Sequence, residues 1–173
     1  FPVFNADKEV KYIYKNNKSC FKNLRSKLPK FIKSYPVKKK DLISAINDNE
    51  KNLKKISSVV HPIVRKRLKN FIRKNKDYKM IILDIPLLIE NKINNKNDLL
   101  VFVDTNKNNI LRRLKQRPNF NKKIFNKLRE NQIELSEKKK LADYIIDNNY
   151  PAHIIKNKIK KLKEKILNER NNT

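Results

Sequence analysis

The sequence predicts an α/β fold in which a parallel sheet is flanked by helices. Short apolar runs that each end at an acidic residue indicate strands: Met80–Leu83 before Asp84, Leu99–Val103 before Asp104, and Tyr144–Ile146 before Asp147. Between and around them, apolar residues recur at helical spacing. Strands that alternate with helices are typical of a parallel sheet, and ligands bind beyond the carboxyl ends of such strands.

The first half of the chain is predicted to be mostly helical after one short strand. Phe1–Asn5 is apolar and β-prone, and the residues that follow have helical spacing. Residues 15–40 are rich in lysine and contain two prolines, which predicts a long irregular excursion with one short helix. Asp41 is a suitable N-cap for the next helix. Helical spacing continues up to His61, and Pro62 predicts that a new helix begins there, because proline is favoured in a first turn.

The second half is predicted to alternate strands and helices. The run Met80–Glu90 begins with a strand that we expect to be buried on both faces of the sheet, and Leu99–Val103 is a second buried strand. The Asp104-Thr105 pair can cap the helix that follows, and Pro118 ends that helix. After the strand at Tyr144–Ile146, the tail has the apolar spacing of an amphipathic helix. We expect a single domain over residues 1–173.

Composition and charge restrict the class of protein. The 173 residues contain 44 Lys and Arg against 17 Asp and Glu, a net charge of +27. Such a charge attracts polyanions, but the lysines are spread through the chain among asparagines, as in a protein from an AT-rich genome. The only cysteine is Cys20, so no intrachain disulfide can form. With no apolar run of roughly 20 residues, the sequence favours a protein of the reducing cytoplasm without a membrane span.

Two further features concern the start of the sequence. Glycine is absent, although an average chain of this length carries roughly 12. The sequence also begins with Phe1 rather than methionine. Together they predict that a glycine-rich segment is missing from the front.

Four segments resemble, in order, the dephospho-CoA kinase family: VFNADK at 3–8, HPIVR at 61–65, LDIPLLIE at 83–90 and LADYIIDN at 141–148. Residues 103–117 add a strand-helix pattern with R-L-x-x-R. The resemblance implies a P-loop kinase with a five-stranded parallel sheet, a helical substrate-side region and a helical lid, the lid at roughly 113–140. Members of this family transfer the γ-phosphoryl group of ATP to the ribose 3′-hydroxyl of dephospho-CoA, with Mg²⁺.

The sequence also departs from that family. The family opens with a strand, a G-x-x-x-x-G-K-S/T loop and a helix, and none of these is present, so we expect on the order of 25 missing residues. In the family that strand is central in the sheet, and its loss would leave backbone N–H and C=O groups of the two flanking strands without hydrogen-bond partners. We therefore expect this chain alone to fold poorly and to lack kinase activity. Asn5 stands where the family usually has the first acid of an Asp-x-Asp pair. Leu135 stands where a lid arginine is common, and Pro118 stands where an acidic or polar residue is usual.

The resemblance implies roles for the residues on the ATP side and at the reacting hydroxyl. Asp7 matches the catalytic acid, and its alternative is a helix N-cap. Arg113 and Arg117 are four residues apart on one helical face and match a clamp on the ATP phosphates, to which arginine binds bidentately. Their alternative is a solvated basic face. Asn148 matches a loop near adenine, and ordinary turn chemistry is its alternative.

The remaining candidates belong to the acceptor side. His61 and Arg65 match contacts to the coenzyme A moiety, with Arg65 able to meet a pyrophosphate; a capping histidine and a surface arginine are the alternatives. Asp84 and Glu90 are candidates for holding the acceptor ribose or a magnesium-bound water, against a structural role at a turn. No spacing of cysteines and histidines indicates a metal site held by the protein alone.

Other functions stay open at this point. A nucleic-acid-binding protein would explain the charge, but the glycine-containing signatures of KH and RRM modules are absent. Another P-loop kinase acting on a nucleotide or nucleoside fits the HP-x-x-R and DIPLLIE elements less well. A degenerate, non-catalytic remnant is the third alternative, because of Asn5 and the absent loop.

Overall fold

The computed structural model describes residues 1–116, Phe125 and residues 132–171. It contains two compact units, Phe1–Pro86 and Leu87–Thr173, and each is described by itself. In the part of the chain that the structure describes, no helix is long and apolar enough to cross a membrane.

The first unit is a cluster of helices that begins and ends with a strand. In chain order its elements are β1 (Val3–Asn5), α1 (Ala6–Asn16), α2 (Lys18–Lys27), α3 (Lys39–Asp48), α4 (Lys51–Lys74) and β2 (Ile82–Asp84). Helices α1, α2 and α3 each pack against α4. Asn17 alone separates α1 from α2 and caps α2, since its Oδ1 accepts a hydrogen bond from the Cys20 amide at 2.8 Å.

Residues 15–40 are more ordered than the sequence predicted. The expected short helix is present as α2, but the loop after it also packs into the core, where Leu28, Ile32 and Val37 are buried. Cys20, Leu24 and Leu28 follow one another at intervals of four, so this segment has an apolar stripe that its many lysines obscure. The core of the unit consists of Ile13, Cys20, Leu24, Leu28, Ile32, Val37, Leu42, Ala45, Ile56, Val59 and Val60.

Two predicted helix boundaries in this unit are wrong. Helix α4 runs without interruption from Lys51 to Lys74, with Pro62 inside it. Pro62 is exposed, so water can hydrogen-bond the carbonyl that the missing N–H leaves free. Asp41 lies within the first turn of α3, whose N-cap is Lys38. A carboxylate in that turn still interacts favourably with the helix dipole.

Strands β1 and β2 pair in parallel, with Val3 opposite Ile82 and Asn5 opposite Asp84. On one face Phe4 is buried and its ring lies 5.5 Å from that of Phe71 on α4. On the other face Val3 and Ile82 are 54% and 44% exposed. The predicted strand therefore forms, but the expectation that both of its faces are buried is wrong, because α4 covers only one of them.

The second unit contains β3 (Val101–Asp104), α5 (Lys107–Lys115), α6 (Leu135–Lys140), β4 (Tyr144–Asp147) and α7 (Ala152–Asn171). Strands β3 and β4 are parallel, with Asp104 opposite Asp147 at their carboxyl ends. Val101 and Val103 are exposed, so the prediction of a buried strand is wrong for β3 as well.

Two other predictions for this unit concern helices. The cap of α5 is Asn106, whose Oδ1 accepts from the Asn109 amide at 2.8 Å, and not the Asp104-Thr105 pair. An asparagine side chain satisfies a first-turn amide as well as an aspartate does. The break expected at Pro118 lies outside the described residues.

Candidate active site

In the first unit, polar side chains meet at the carboxyl ends of β1 and β2. The Asn5 Nδ2 group donates a hydrogen bond to Asp84 Oδ2 at 2.5 Å, across the paired strand ends. The Asn5 Oδ1 atom accepts a hydrogen bond from the Lys8 amide at 2.8 Å and so caps α1. One asparagine thus fixes the start of a helix and the orientation of a carboxylate. In open parallel sheets this edge is where ligands bind.

Asp7 lies in the first turn of α1 and is exposed. The capping role that was its alternative belongs to Asn5, two residues earlier. Asp7 is therefore not the cap of α1, although a carboxylate in the first turn also interacts favourably with the helix dipole. A carboxylate in this position can accept a proton from a hydroxyl group brought to the strand edge.

His61 and Arg65 lie on α4, the helix against which α1 packs. Both side chains are exposed, and a spacing of four residues places them on one face of the helix. Partial burial of the imidazole, followed by the charge of Arg65, lowers the pKa of His61 below its ordinary value. The ring is therefore neutral at pH 7 and can accept as well as donate a hydrogen bond. Asp7, His61, Arg65 and Asp84 all belong to the same compact unit.

In the second unit the structure brings two predicted site residues together. The Arg113 Nη2 atom donates to the backbone carbonyl of Asn148 at 3.4 Å, which connects α5 to the loop after β4. The Asn148 amide in turn donates to the Asp104 carbonyl at 2.8 Å. Arg117, the other half of the predicted clamp, lies outside the described residues, as does much of the predicted lid at 113–140.

Asn149, which the sequence analysis did not single out, connects the same two elements. Its Oδ1 atom accepts from the Asn106 amide at 2.8 Å and from Asn109 Nδ2 at 3.2 Å. Its Nδ2 group donates to Asp147 Oδ1 at 2.6 Å. These bonds hold the loop after β4 against the first turn of α5. The signal was available in the sequence, since asparagines that follow a strand-ending aspartate within two residues are typical of a side-chain-stabilised turn.

Glu90 is engaged inside the second unit. Its Oε1 atom lies 2.5 Å from Lys138 Nζ, and the two side chains are only 10% and 16% exposed. The same oxygen accepts a hydrogen bond from the Ile133 amide at 3.2 Å. Burial alone would raise the pKa of Glu90, but the hydrogen bonds and the charge of Lys138 outweigh it and lower that pKa below its ordinary value. A ribose contact by Glu90 stays a prediction, and it would compete with Lys138. The sequence analysis did not identify Lys138.

A dedicated metal centre is not found in the described part of the chain. Among residues 1–116, 125 and 132–171, no three His, Cys, Asp or Glu side chains are grouped so that they could hold a metal ion.

A family model for dephospho-CoA kinase matches residues 1–153. The chain belongs to the dephospho-CoA kinase family. The resemblance drawn from the sequence is therefore confirmed, and with it membership of a family of ATP-using kinases that act in coenzyme A synthesis.

Individual members of the dephospho-CoA kinase family agree with this assignment. The dephospho-CoA kinase of Wolbachia pipientis wMel is 32% identical over 160 residues, which cover 91% of this chain and 82% of that protein. That of Fusobacterium nucleatum is 30% identical over 168 residues, which cover 96% of this chain and 86% of that protein.

Solved structures show the same fold. TT1252 from Thermus thermophilus matches with a TM-score of 0.74 at 21% identity, over 95% of this chain and 84% of that one. The dephospho-CoA kinase from Campylobacter jejuni matches with a TM-score of 0.65 at 24% identity, over 98% and 87%. The predicted α/β class, with parallel strands flanked by helices, is confirmed.

Proposed function

We propose that this protein transfers the γ-phosphoryl group of ATP to the ribose 3′-hydroxyl of dephospho-CoA. The observation that carries the proposal is the exposed Asp7 at the end of β1, which Asn5 relieves of helix capping. Phosphoryl transfer needs a carboxylate that orients or deprotonates the acceptor hydroxyl, and cations that stabilise the charge of the moving group. The first unit supplies the carboxylate, and the family assignment supplies the reaction.

The acceptor would be bound by residues of the first unit. Asp7 would take the proton of the 3′-hydroxyl as the new P–O bond forms, while Asp84 accepts a hydrogen bond from the ribose. His61 and Arg65 would contact the phosphates of dephospho-CoA, because a guanidinium binds phosphate oxygens in pairs. Glu90, which belongs to the second unit, is the remaining candidate that the resemblance gives for the acceptor, through the ribose or by holding Lys138.

The donor would be bound by residues of the second unit. Arg113 and Arg117 would stabilise the charge that develops on the ATP phosphates, and Asn148 would lie near adenine. The hydrogen bond between Arg113 and Asn148 supports a common role for these two residues. We also propose that both units belong to one kinase-like domain of residues 1–173, located in the cytoplasm, and that its partners are these small molecules rather than nucleic acid.

ATP would enter as its magnesium complex. Mg²⁺ keeps several waters and binds one or two carboxylates together with substrate phosphates, so a full set of protein ligands is not required. Asp84, at the β1–β2 edge, has a carboxylate oxygen of the kind that this ion prefers and could hold a magnesium-bound water. Bound there with ATP, the ion would neutralise phosphate charge.

The phosphate cradle itself is not among the 173 residues, because they contain no glycine and therefore no G-x-x-x-x-G-K-S/T loop. Backbone amides of such a loop normally surround the phosphates. We propose that the 173-residue chain alone does not turn over ATP.

The test compares the 173-residue chain with a version extended before Phe1 by a strand, a G-x-x-x-x-G-K-S/T loop and a helix. With ATP and dephospho-CoA, coupled detection of ADP should detect turnover only for the extended protein, and calorimetry should detect binding of dephospho-CoA to it. A control carries alanine in place of the loop lysine and should bind without turnover. Turnover by the shorter chain would refute its proposed inactivity. An extended chain that phosphorylates nucleosides but not dephospho-CoA would refute the proposed acceptor.

A further inference from the structure

Arg67 on α4 contacts two residues of α1. Its Nε–H group donates to the Glu9 carboxylate, and its guanidinium lies over the Tyr12 ring, 4.7 Å from the ring centre. Glu9 and Tyr12 are three residues apart, so they lie on one face of α1. Arginine can make both contacts at once, because its planar group donates hydrogen bonds and also stacks on an aromatic ring. Arg67, Glu9 and Tyr12 together form a clamp between α4 and α1.

The clamp is better suited to orienting α1 than to stabilising the unit. The side chains of Arg67 and Glu9 are 40% and 26% exposed, and an ion pair that water reaches contributes little to stability. The buried residues of α1 are Ala6 and Ile13, and the attraction between apolar groups has no preferred direction. The hydrogen bond and the stacked ring supply the directional contacts between the two helices.

Each side of the clamp belongs to a helix that carries residues of the proposed acceptor site. Glu9 shares the first turn of α1 with Asp7, and Arg67 follows Arg65 by two residues on α4. Residues two apart on a helix do not face each other, and both Asp7 and Arg65 are exposed. The clamp therefore fixes the two helices that carry these side chains without using either side chain itself.

We propose that Arg67 is a positioning residue that holds Asp7 at the distance from Arg65 that the acceptor requires. This inference rests on the proposed function, which gives Asp7 the ribose hydroxyl and Arg65 the phosphates of dephospho-CoA. Arg67 acts through α1 and does not itself touch the substrate. Such a role matters because a misplacement of about 1 Å can lower the rate roughly a hundredfold.

A double-mutant cycle on kcat in the loop-extended protein tests this role. Arg67→Gln and Glu9→Gln each break the ion pair, and we expect each to lower kcat about tenfold with the KM for ATP unchanged, since the apolar packing of α1 limits its displacement. Because the two residues form one contact, the double variant should be no slower than either single variant. The matched control is Arg73→Gln, which removes the same charge from the same helix. Arg73 donates to Asn70 of α4 at 3.5 Å, and its loss should leave kcat unchanged.

Two outcomes of the cycle would overturn the proposal. Wild-type kcat in Arg67→Gln would mean that the clamp does not position the site. Losses that multiply in the double variant would mean that Arg67 acts independently of Glu9, for example by contacting the substrate itself.

Hydrogen exchange keeps this proposal separate from the proposed function. The Lys8 amide donates to Asn5 Oδ1 at 2.8 Å and reports the first turn of α1. The Cys20 amide donates to Asn17 Oδ1 at 2.8 Å and reports the equivalent turn of α2. In the loop-extended protein, Arg67→Gln should accelerate exchange at Lys8 more than at Cys20, whereas a general loss of stability would accelerate both.

The two measurements together distinguish the two failures. If the loop-extended protein did not phosphorylate dephospho-CoA, the proposed function would fail, and a selective acceleration at Lys8 would still support the clamp as the contact that fixes the first turn of α1. Exchange at Lys8 that rises no more than exchange at Cys20 would overturn the positioning role, whatever the activity.

Discussion

The ion pair between Glu90 and Lys138 gives the most quantitative prediction. The pair is 2.5 Å long, and its side chains are 10% and 16% exposed, so water screens it weakly. Removing one partner of a buried pair leaves a charge without compensation and costs about 3–5 kcal/mol. For Glu90→Gln we expect less, about 2 kcal/mol, because Glu90 and Lys138 are only partly buried and the pair resembles one hydrogen bond to a charged group. The glutamine still offers an oxygen to the Ile133 amide, so the loss reports the ion pair.

The assay is equilibrium urea unfolding at pH 7, followed by a signal from the second unit. The matched control is Glu137→Gln, which removes the pair between Glu137 and Lys140 on α6. That pair has a length of 2.9 Å, but its side chains are 73% and 54% exposed. A pair so exposed contributes at most about 1 kcal/mol. If Glu90→Gln destabilises the protein no more than Glu137→Gln does, the reasoning from burial is refuted.

The pH dependence of the same pair has a definite sign. The pKa of Glu90 is lower in the folded chain than its ordinary value. The unfolded chain therefore binds the proton of the Glu90 carboxyl group at a higher pH than the folded chain does. The stabilisation that the ion pair gives is present above the ordinary carboxyl pKa, and it is lost as the pH falls through the lowered pKa. The difference between wild type and Glu90→Gln should accordingly shrink on acidification. If the difference in unfolding free energy between wild type and Glu90→Gln does not change down to pH 3, the ion pair is not the source of that difference.

Three further predictions concern the first unit. Asp7→Asn in the loop-extended protein should lower kcat by a factor of about 10²–10⁴. The urea midpoint should change little, because Asn5 is the cap of α1. A loss of activity that is accompanied by a clear fall in the urea midpoint would indicate a structural role for Asp7. Because folding lowers the pKa of His61, the unfolded chain binds the imidazole proton at a higher pH than the folded chain does. Stability should therefore fall as the pH drops below about 6.5, and His61→Gln should reduce that fall. Cys20 is fully buried, and burial raises its thiol pKa to about 11. Iodoacetamide should therefore label it, as measured by mass spectrometry, only after unfolding.

The strands were predictable because each depends on a local pattern. A short apolar run that ends at a carboxylate identifies β2, β3 and β4, and the alternation with helices predicts their parallel pairing. The burial of their faces was not predictable in the same way. Whether Ile82 or Val103 is covered depends on which elements pack on the sheet, and no local pattern carries that information.

The same distinction applies to the site. Asp7, Asp84, Arg113 and Asn148 could be proposed as candidates because each follows a predicted strand or lies on a helical face, and their roles stay predictions. The choice between catalysis and capping at Asp7 could not be made from the sequence, since aspartate serves both and only the backbone geometry shows that Asn5 is the cap. The contact of Glu90 with Lys138 joins residues far apart in the chain, so its existence depends on tertiary packing.

The net charge of +27 can be reconciled with a small-molecule substrate. Both ATP and dephospho-CoA are polyanions, so a positive field raises their encounter rate just as it would that of RNA. The two kinds of ligand differ in how many charges they neutralise. A protein that binds along nucleic acid releases one counterion for each phosphate contacted, and its affinity falls steeply with salt. A site that holds only the few phosphates of a small molecule should show a shallow dependence on salt. The lysines spread over the surface therefore do not by themselves favour nucleic acid, and the steepness of the salt dependence is the property that separates the two classes.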